Sequence, residues 1–263
     1  GNGPFYLYNW TESGLFLRRK TSGDLVDAVH IVLENDEAST EKPLTAPQQV
    51  QNEKADAALY DSGEDTSLPS IRYAGTTWCL LFNTQNAMLS NRTLRQALAQ
   101  TAYNADLPAA QGTQNASGLI PPAVTVGSQT YREQAGSALP ATQNPAALCQ
   151  TALAELGVSS VRGLTVLIPE DTPVADAFAA LNQLWQSQLG LYFNVQQLPM
   201  EDLRKAQSSG DYAIMLMPLT ATENAPHAFL RQFGSGQLCE WTSTEFQART
   251  AALDPAKSGY LKE

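Results

Sequence analysis

Residues 144–217, NPAALCQTALAELGVSSVRGLTVLIPEDTPVADAFAALNQLWQSQLGLYFNVQQLPMEDLRKAQSSGDYAIMLM, decide how the rest of the chain is read. Asn144 is a good helix cap, and Pro145 suits the first helical position, where its missing N–H costs nothing. Gly157 marks the stop of that helix at Leu156. Leu164–Ile168 is a short apolar run and reads as a buried strand. Val174, Phe178, Leu181, Trp185 and Leu189 recur at near-helical spacing, which predicts an amphipathic helix over 174–189 that Gly190 ends. Leu191–Leu198 reads as a strand, Met200–Ser208 as a helix and Tyr212–Met217 as a strand. Strands alternating with helices need crossover connections, so the sheet is expected to be mainly parallel and covered on both faces: an α/β fold. Open sheets of this kind bind ligands beyond the carboxyl ends of their strands, and the loop after Met217 is where that rule points.

N-terminal to this block the pattern changes. Residues 4–10 (PFYLYNW), Leu15–Arg19 and Ala28–Leu33 read as strands, the last through its β-branched Val29, Ile31 and Val32. Ser39–Asn52 is polar and contains Pro43 and Pro47, yet Thr45–Gln51 fits a short helix. Asp61–Pro69 is a turn-rich break and a natural hinge. Thr76–Asn83 is the next strand, and Leu94, Ala97, Leu98 and Ala102 form the apolar face of a helix over 91–103, capped by Asn91. Asn104–Gln143 is rich in Pro, Gly, Ser, Thr and Gln. A structureless loop of that length is unusual in a compact domain, so short turns or helices are expected to punctuate it.

Composition narrows the functional classes. The chain has 263 residues, 43% of them hydrophobic, and a net charge of 16 − 26 = −10. A surface with that excess of carboxylates repels phosphate backbones, which argues against a nucleic-acid partner. No run approaches the ~20 apolar residues of a membrane helix. Cys79, Cys149 and Cys239 are odd in number and widely spaced, without a C-x-x-C pair, so they read as structural thiols and not as a disulfide framework. His30 and His227 are the only histidines, and neither belongs to HExxH or to a Cys/His cluster. G-x-S-x-G, P-loop and helix-opening G-x-G-x-x-G patterns are absent. No catalytic residue, metal ligand or cofactor is therefore assigned.

Four segments in order carry a resemblance: GNGPFYLYNW (1–10), LFNTQNAMLSNRTLRQALAQTAYN (81–104), NPAALCQTALAELG (144–157) and GDYAIMLMPLTATENAPHAFLRQF (210–233). Together they resemble solute-binding family 5, the oligopeptide, dipeptide and nickel receptors of ABC importers. The resemblance implies a periplasmic-binding-protein-like fold (type II, cluster C). Residues 1–75 would then be a strand-rich part of lobe I, and 76–263 an α/β lobe II truncated at its C-terminus. Family members are longer, so the chain is expected to be a fragment carrying half of a binding cleft. Lys54–Tyr60 stands where the family has a strand.

The resemblance further implies an extracytoplasmic receptor, periplasmic or a cell-surface lipoprotein, that is not an enzyme. Its partners would be a peptide or other small solute and the importer's permease and ATPase. It would meet the membrane only through a lipid anchor outside this fragment. The alternatives are a ligand-sensing module on the same fold and, last, a hydrolase-type α/β enzyme.

In peptide-binding members the loop equivalent to Pro218–Pro226 carries an aromatic-small-x-Asp pattern whose carboxylate pairs with the peptide's α-ammonium. Here Leu219 takes the aromatic position, Thr220 the small one and Thr222 that of the aspartate, so the carboxylate is gone. A buried ammonium without a counter-charge is costly, and Glu223 supplies one only if the loop is shifted. Leu219, Thr220, Ala221, Thr222, Glu223 and Asn224 are thus expected to read a ligand by backbone groups and hydroxyls. Trp78 is expected to join them from the segment that crosses between lobes, with a core tryptophan as the competing reading. Arg95 matches a family arginine that makes a structural ion pair or caps carbonyls. Trp10, Trp185 and Trp241 read as structural, and His227, beside the loop, as solvated.

Overall fold

The computed structural model describes residues 4–21, 26–32, 44–60, 67–71, 74–110, 112–137, 141–220, 224–235 and 238–253. The chain divides into two compact units, Gly1–Tyr60 with Thr66–Leu68, and Asp61–Asp65 with Pro69–Glu263.

In the first unit, β1 (Phe5–Thr11), β2 (Gly14–Arg19) and β3 (Ala28–Val32) form an antiparallel sheet in sequence order. The β1 register shifts between Leu7 and Asn9, which marks a bulge. Cross-strand pairs sort the side chains by face. Leu7 opposes Leu17, Trp10 opposes Leu15, and these β2 leucines oppose Val29 and Ile31 on β3. On the other face Phe16 stacks on its partner His30, with ring centroids 4.0 Å apart, and the Arg18 guanidinium lies 4.0 Å from the Tyr8 ring centre. Gly14 is required where it sits, because a Cβ there would lie 2.5 Å from the Ile31 carbonyl oxygen.

The short helix α1 (Ala46–Gln51) follows, begun by Pro47 near its N-terminus. The segment Lys54–Tyr60 is not a strand, contrary to the resemblance. The Lys54 and Ala55 amides instead donate to the Gln49 carbonyl and close the turn after α1, and Leu59 is 94% exposed.

The second unit is built on β4 (Thr76–Phe82), β7 (Thr165–Pro169), β8 (Asn194–Leu198) and β9 (Ile214–Thr220), in the order β4-β9-β7-β8. β7 runs parallel to both β8 and β9, and β4 is antiparallel to β9. The crossovers are α5 (Ala175–Leu189) and α6 (Met200–Ser209). α2 (Arg92–Asn104) and α4 (Pro145–Leu156) pack on each other, and α2 and α4 both pack on α5. The expected caps are present. The Asn91 side chain accepts from the Leu94 amide, the Asn144 side chain accepts from the Ala146 and Ala147 amides, and Gly157 and Gly190 end their helices in the left-handed region.

Strand alternation divides this unit into two cores. Val166 and Ile168 of β7 and Ile214 and Leu216 of β9 face one side, with Leu94, Leu98, Phe178 and Trp185 from the helices. Leu167 of β7 and Met215, Met217 and Leu219 of β9 face the other, with Leu81, Leu203 and Phe229. The central strands β9 and β7 are thus buried on both faces, while the edge strand β8 stays largely exposed. Trp185 is fully buried, and its Nε1–H donates to the Leu98 carbonyl at 3.1 Å. Asn83 closes the sheet end. Its Nδ2 donates to the carbonyls of Gly210 and Tyr212, and its Oδ1 accepts from the Gln85 amide.

The long polar segment 104–143 is punctuated, as its length demanded. β5 (Thr125–Val126) and β6 (Gln129–Thr130) make a small hairpin, and α3 (Tyr131–Ala135) begins in a Thr130–Glu133 capping box. The Arg132 guanidinium lies over Gly118 and donates to the Ile120 and Gly136 carbonyls. Two further short helices, α7 (Pro226–Leu230) and α8 (Thr244–Ala252), follow β9.

Candidate functional site at the carboxyl end of β9

The antiparallel register brings the end of β9 beside the start of β4. Thr220 lies opposite Thr76, Leu219 opposite Thr77 and Pro218 opposite Trp78. Since side chains alternate along a strand, these pairs go to opposite faces. Leu219 is 5% exposed and packs in the second core. Trp78 is half-buried against the first core, the environment of a core tryptophan. Trp78 and Leu219 are therefore separated by the thickness of the sheet.

The polar atoms at this end are already paired in part. The Thr76 and Thr220 hydroxyl oxygens lie 2.9 Å apart, and the Thr77 hydroxyl donates to the Leu119 carbonyl at 2.8 Å. Asn224 reaches a different segment. Its Oδ1 accepts from the Thr125 amide at 2.8 Å, and its Nδ2 donates to the Thr125 hydroxyl oxygen at 2.8 Å. Ala221, Thr222 and Glu223 lie outside the described residues. His227 is not solvated; it is buried on α7, as are Pro226, Ala228 and Phe229 around it.

The four described residues expected at the site, Trp78, Leu219, Thr220 and Asn224, carry no formal charge. Hydroxyls and amides that donate and accept equally well suit a neutral polar group. Two thiols of this unit, Cys79 in mid-β4 and Cys239 at the far end of the sheet, stay protonated. Burial, reinforced by the neighbouring Cys239, pushes Cys79 up to about 12, and burial also pushes Cys239 up to about 11. A thiol that holds its proton is a poor nucleophile. Arg95 does cap carbonyls, donating to those of Leu89 and Ser90 at 2.6 and 2.9 Å. Among the described residues no group of three or more His, Cys, Asp or Glu side chains is placed to hold a metal ion, and no helix is long and apolar enough to cross a membrane.

Sequence reasoning missed Thr125 and Thr76. Their partners lie 99 and 144 residues away, and nothing local signals such pairings.

Residues 1–238 match the family model described as bacterial extracellular solute-binding proteins, family 5, middle. The chain belongs to this family. Solved structures with the same fold include the substrate-binding domain of an oligopeptide ABC transporter from Bacillus anthracis str. Ames, with 19% identity and a TM-score of 0.59 over 95% of this chain and 52% of that one. OppA of Listeria monocytogenes bound to peptide matches at 18% identity and TM-score 0.57, over 99% of this chain and 55% of that one. The pheromone receptor PrgZ matches at 17% identity and TM-score 0.60, over 99% and 55%. This family 5 chain thus spans about half the length of the structures it matches. No curated protein sequence matches it. The fold is periplasmic-binding-protein-like, a mixed sheet with flanking helices, as the four segments implied.

Proposed function

We propose that this family 5 chain is part of the substrate-binding component of an ABC importer. In that reading it holds a peptide or similar small solute between two lobes outside the cytoplasmic membrane and presents it to the permease, and the parent protein is held by a lipid anchor or is free in the periplasm. Residues 1–75 belong to lobe I and 76–263 to lobe II. The observation that supports this best is the alignment of nearly the whole chain on peptide-binding proteins of this fold, together with the match to the family itself. Binding requires no covalent chemistry. Differential affinity of the solute for open and closed lobes would drive the signal to the permease.

The ligand-facing end of lobe II begins at Thr220, with Trp78 on one face of the sheet there and Leu219 packed beneath the other. The position of the family's aspartate is Thr222, so recognition of the peptide amino end passes to hydroxyls and backbone groups. A hydroxyl oxygen accepts from an ammonium or an amide N–H alike and brings no opposite charge, so it favours the ammonium far less than a carboxylate does. Trialanine with a free amino end and N-acetyl-trialanine are therefore expected to bind within about threefold of each other by isothermal titration, a difference under ~1 kcal/mol. A hundredfold preference for the free amine would show that a carboxylate, such as Glu223, takes the aspartate's place. Failure of both to bind would remove peptides from the reading.

A further inference from the structure

Asn224 precedes α7, whose Phe229 is fully buried in the second core. Val124, next to Thr125, is buried in the same core, as is Leu219 on β9. Three segments far apart in sequence therefore share one apolar floor: the end of β9, α7 through Phe229, and the entry to the β5–β6 hairpin at Val124. Two hydrogen bonds at the rim above that floor join the last two. Both ends of the Asn224 amide are engaged, the oxygen by the Thr125 N–H and the nitrogen by the Thr125 hydroxyl, each at 2.8 Å. A two-point contact fixes direction as well as distance, which a single hydrogen bond does not.

We propose that Asn224 is a positioning residue and not a ligand contact, and that its clasp on Thr125 makes the hairpin set where the start of α7 stands beside the ligand-facing end of β9. This rests on the solute-binding reading of that end. Thr125 thereby becomes a determinant of affinity although it lies outside the loop that sequence reasoning singled out.

Chemistry separates the variants. Asn224→Asp keeps both bonds, because one carboxylate oxygen accepts from the Thr125 amide while the Thr125 hydroxyl rotates to donate to the other. Asn224→Leu keeps the bulk and loses both. Thr125→Val loses only the hydroxyl partner. Amide hydrogen exchange at Thr125 and titration with trialanine are measured on all four proteins. Asn224→Leu is expected to speed Thr125 exchange and weaken trialanine binding, each by about tenfold. Thr125→Val should fall between, and Asn224→Asp should restore both values. Unchanged Thr125 exchange in Asn224→Leu overturns the clasp. Faster exchange with unchanged affinity overturns its role in positioning. If the unsubstituted protein takes up no trialanine, the peptide reading fails and positioning fails with it, while Thr125 exchange still decides whether the clasp exists.

Discussion

Trp10 on β1 and Trp185 on α5 are both indoles in apolar stretches, yet the first is 69% exposed and the second is fully buried. The same contrast runs through the two sheets. In β4, β9 and β7 the alternating side chains enter two cores, one under the packed helices and one on the opposite face. In β1-β2-β3 the alternation is equally clear, with Leu7, Trp10, Leu15, Leu17, Val29 and Ile31 on one face, but Leu7, Trp10 and Ile31 stay exposed. Alternation in a sequence tells which face is apolar. It does not tell what covers that face, and burial against a cover is what stabilises a sheet.

The largest test of this contrast is a pair of tryptophan truncations. Trp185→Ala removes a packed indole and strands the hydrogen bond to Leu98, and should cost about 3–5 kcal/mol in urea unfolding followed by circular dichroism. Trp10→Ala should stay within about 0.5 kcal/mol. Equal losses at the two sites would break the comparison.

Gly14→Ala sharpens it from the other side. The new Cβ meets the Ile31 carbonyl at 2.5 Å and the His30 Nε2 at 2.9 Å. Repair of such a clash costs about 1–3 kcal/mol. Hydrogen exchange should accelerate in β2 and β3 and stay unchanged in α2 and α4. Acceleration spread over the α2 and α4 amides would mean that the two units unfold as one.

The smallest effect is alkaline. Cys79 and Cys239 lie in the second unit, and their ordinary value of 9.0 rises to about 12 and about 11. Below pH 9 both are protonated whether folded or unfolded. Above pH 9 the unfolded chain releases these protons first, so their contribution is lost progressively until pH 11–12 and then levels off. Urea midpoints should therefore fall over that window, and Cys79→Ala should make the fall shallower. An identical slope in the variant would remove Cys79 from the account.

Much of the second unit was legible. Asn91 and Asn144 are caps because their short side chains reach the free amides of the first turn. Gly157 and Gly190 are stops because the chain needs a positive φ there. The limits were set where tertiary context competes with local pattern. Leu191 and Phe193 are buried by packing in the first core without a ladder, so β8 begins only at Asn194. Lys54–Tyr60, which stands where the family has a strand, is not one, and its first two amides serve the turn after α1. At the site, topology pointed to the end of β9, but Pro218, Leu219 and Thr220, read as loop, continue the strand because they pair with Trp78, Thr77 and Thr76. The opposed directions of Trp78 and Leu219 needed that register, which no single strand encodes. The Asn224–Thr125 clasp needed the whole fold.

The central claim is that the protein holds a solute and leaves its bonds intact. Native mass spectrometry of the protein purified under non-denaturing conditions from its own source tests it most directly. A small peptide or similar solute should appear as a non-covalent adduct, leave on denaturation, and keep the same mass after hours of incubation with the protein. A bound species whose mass changes with time, or a covalent adduct that survives denaturation, would contradict the account.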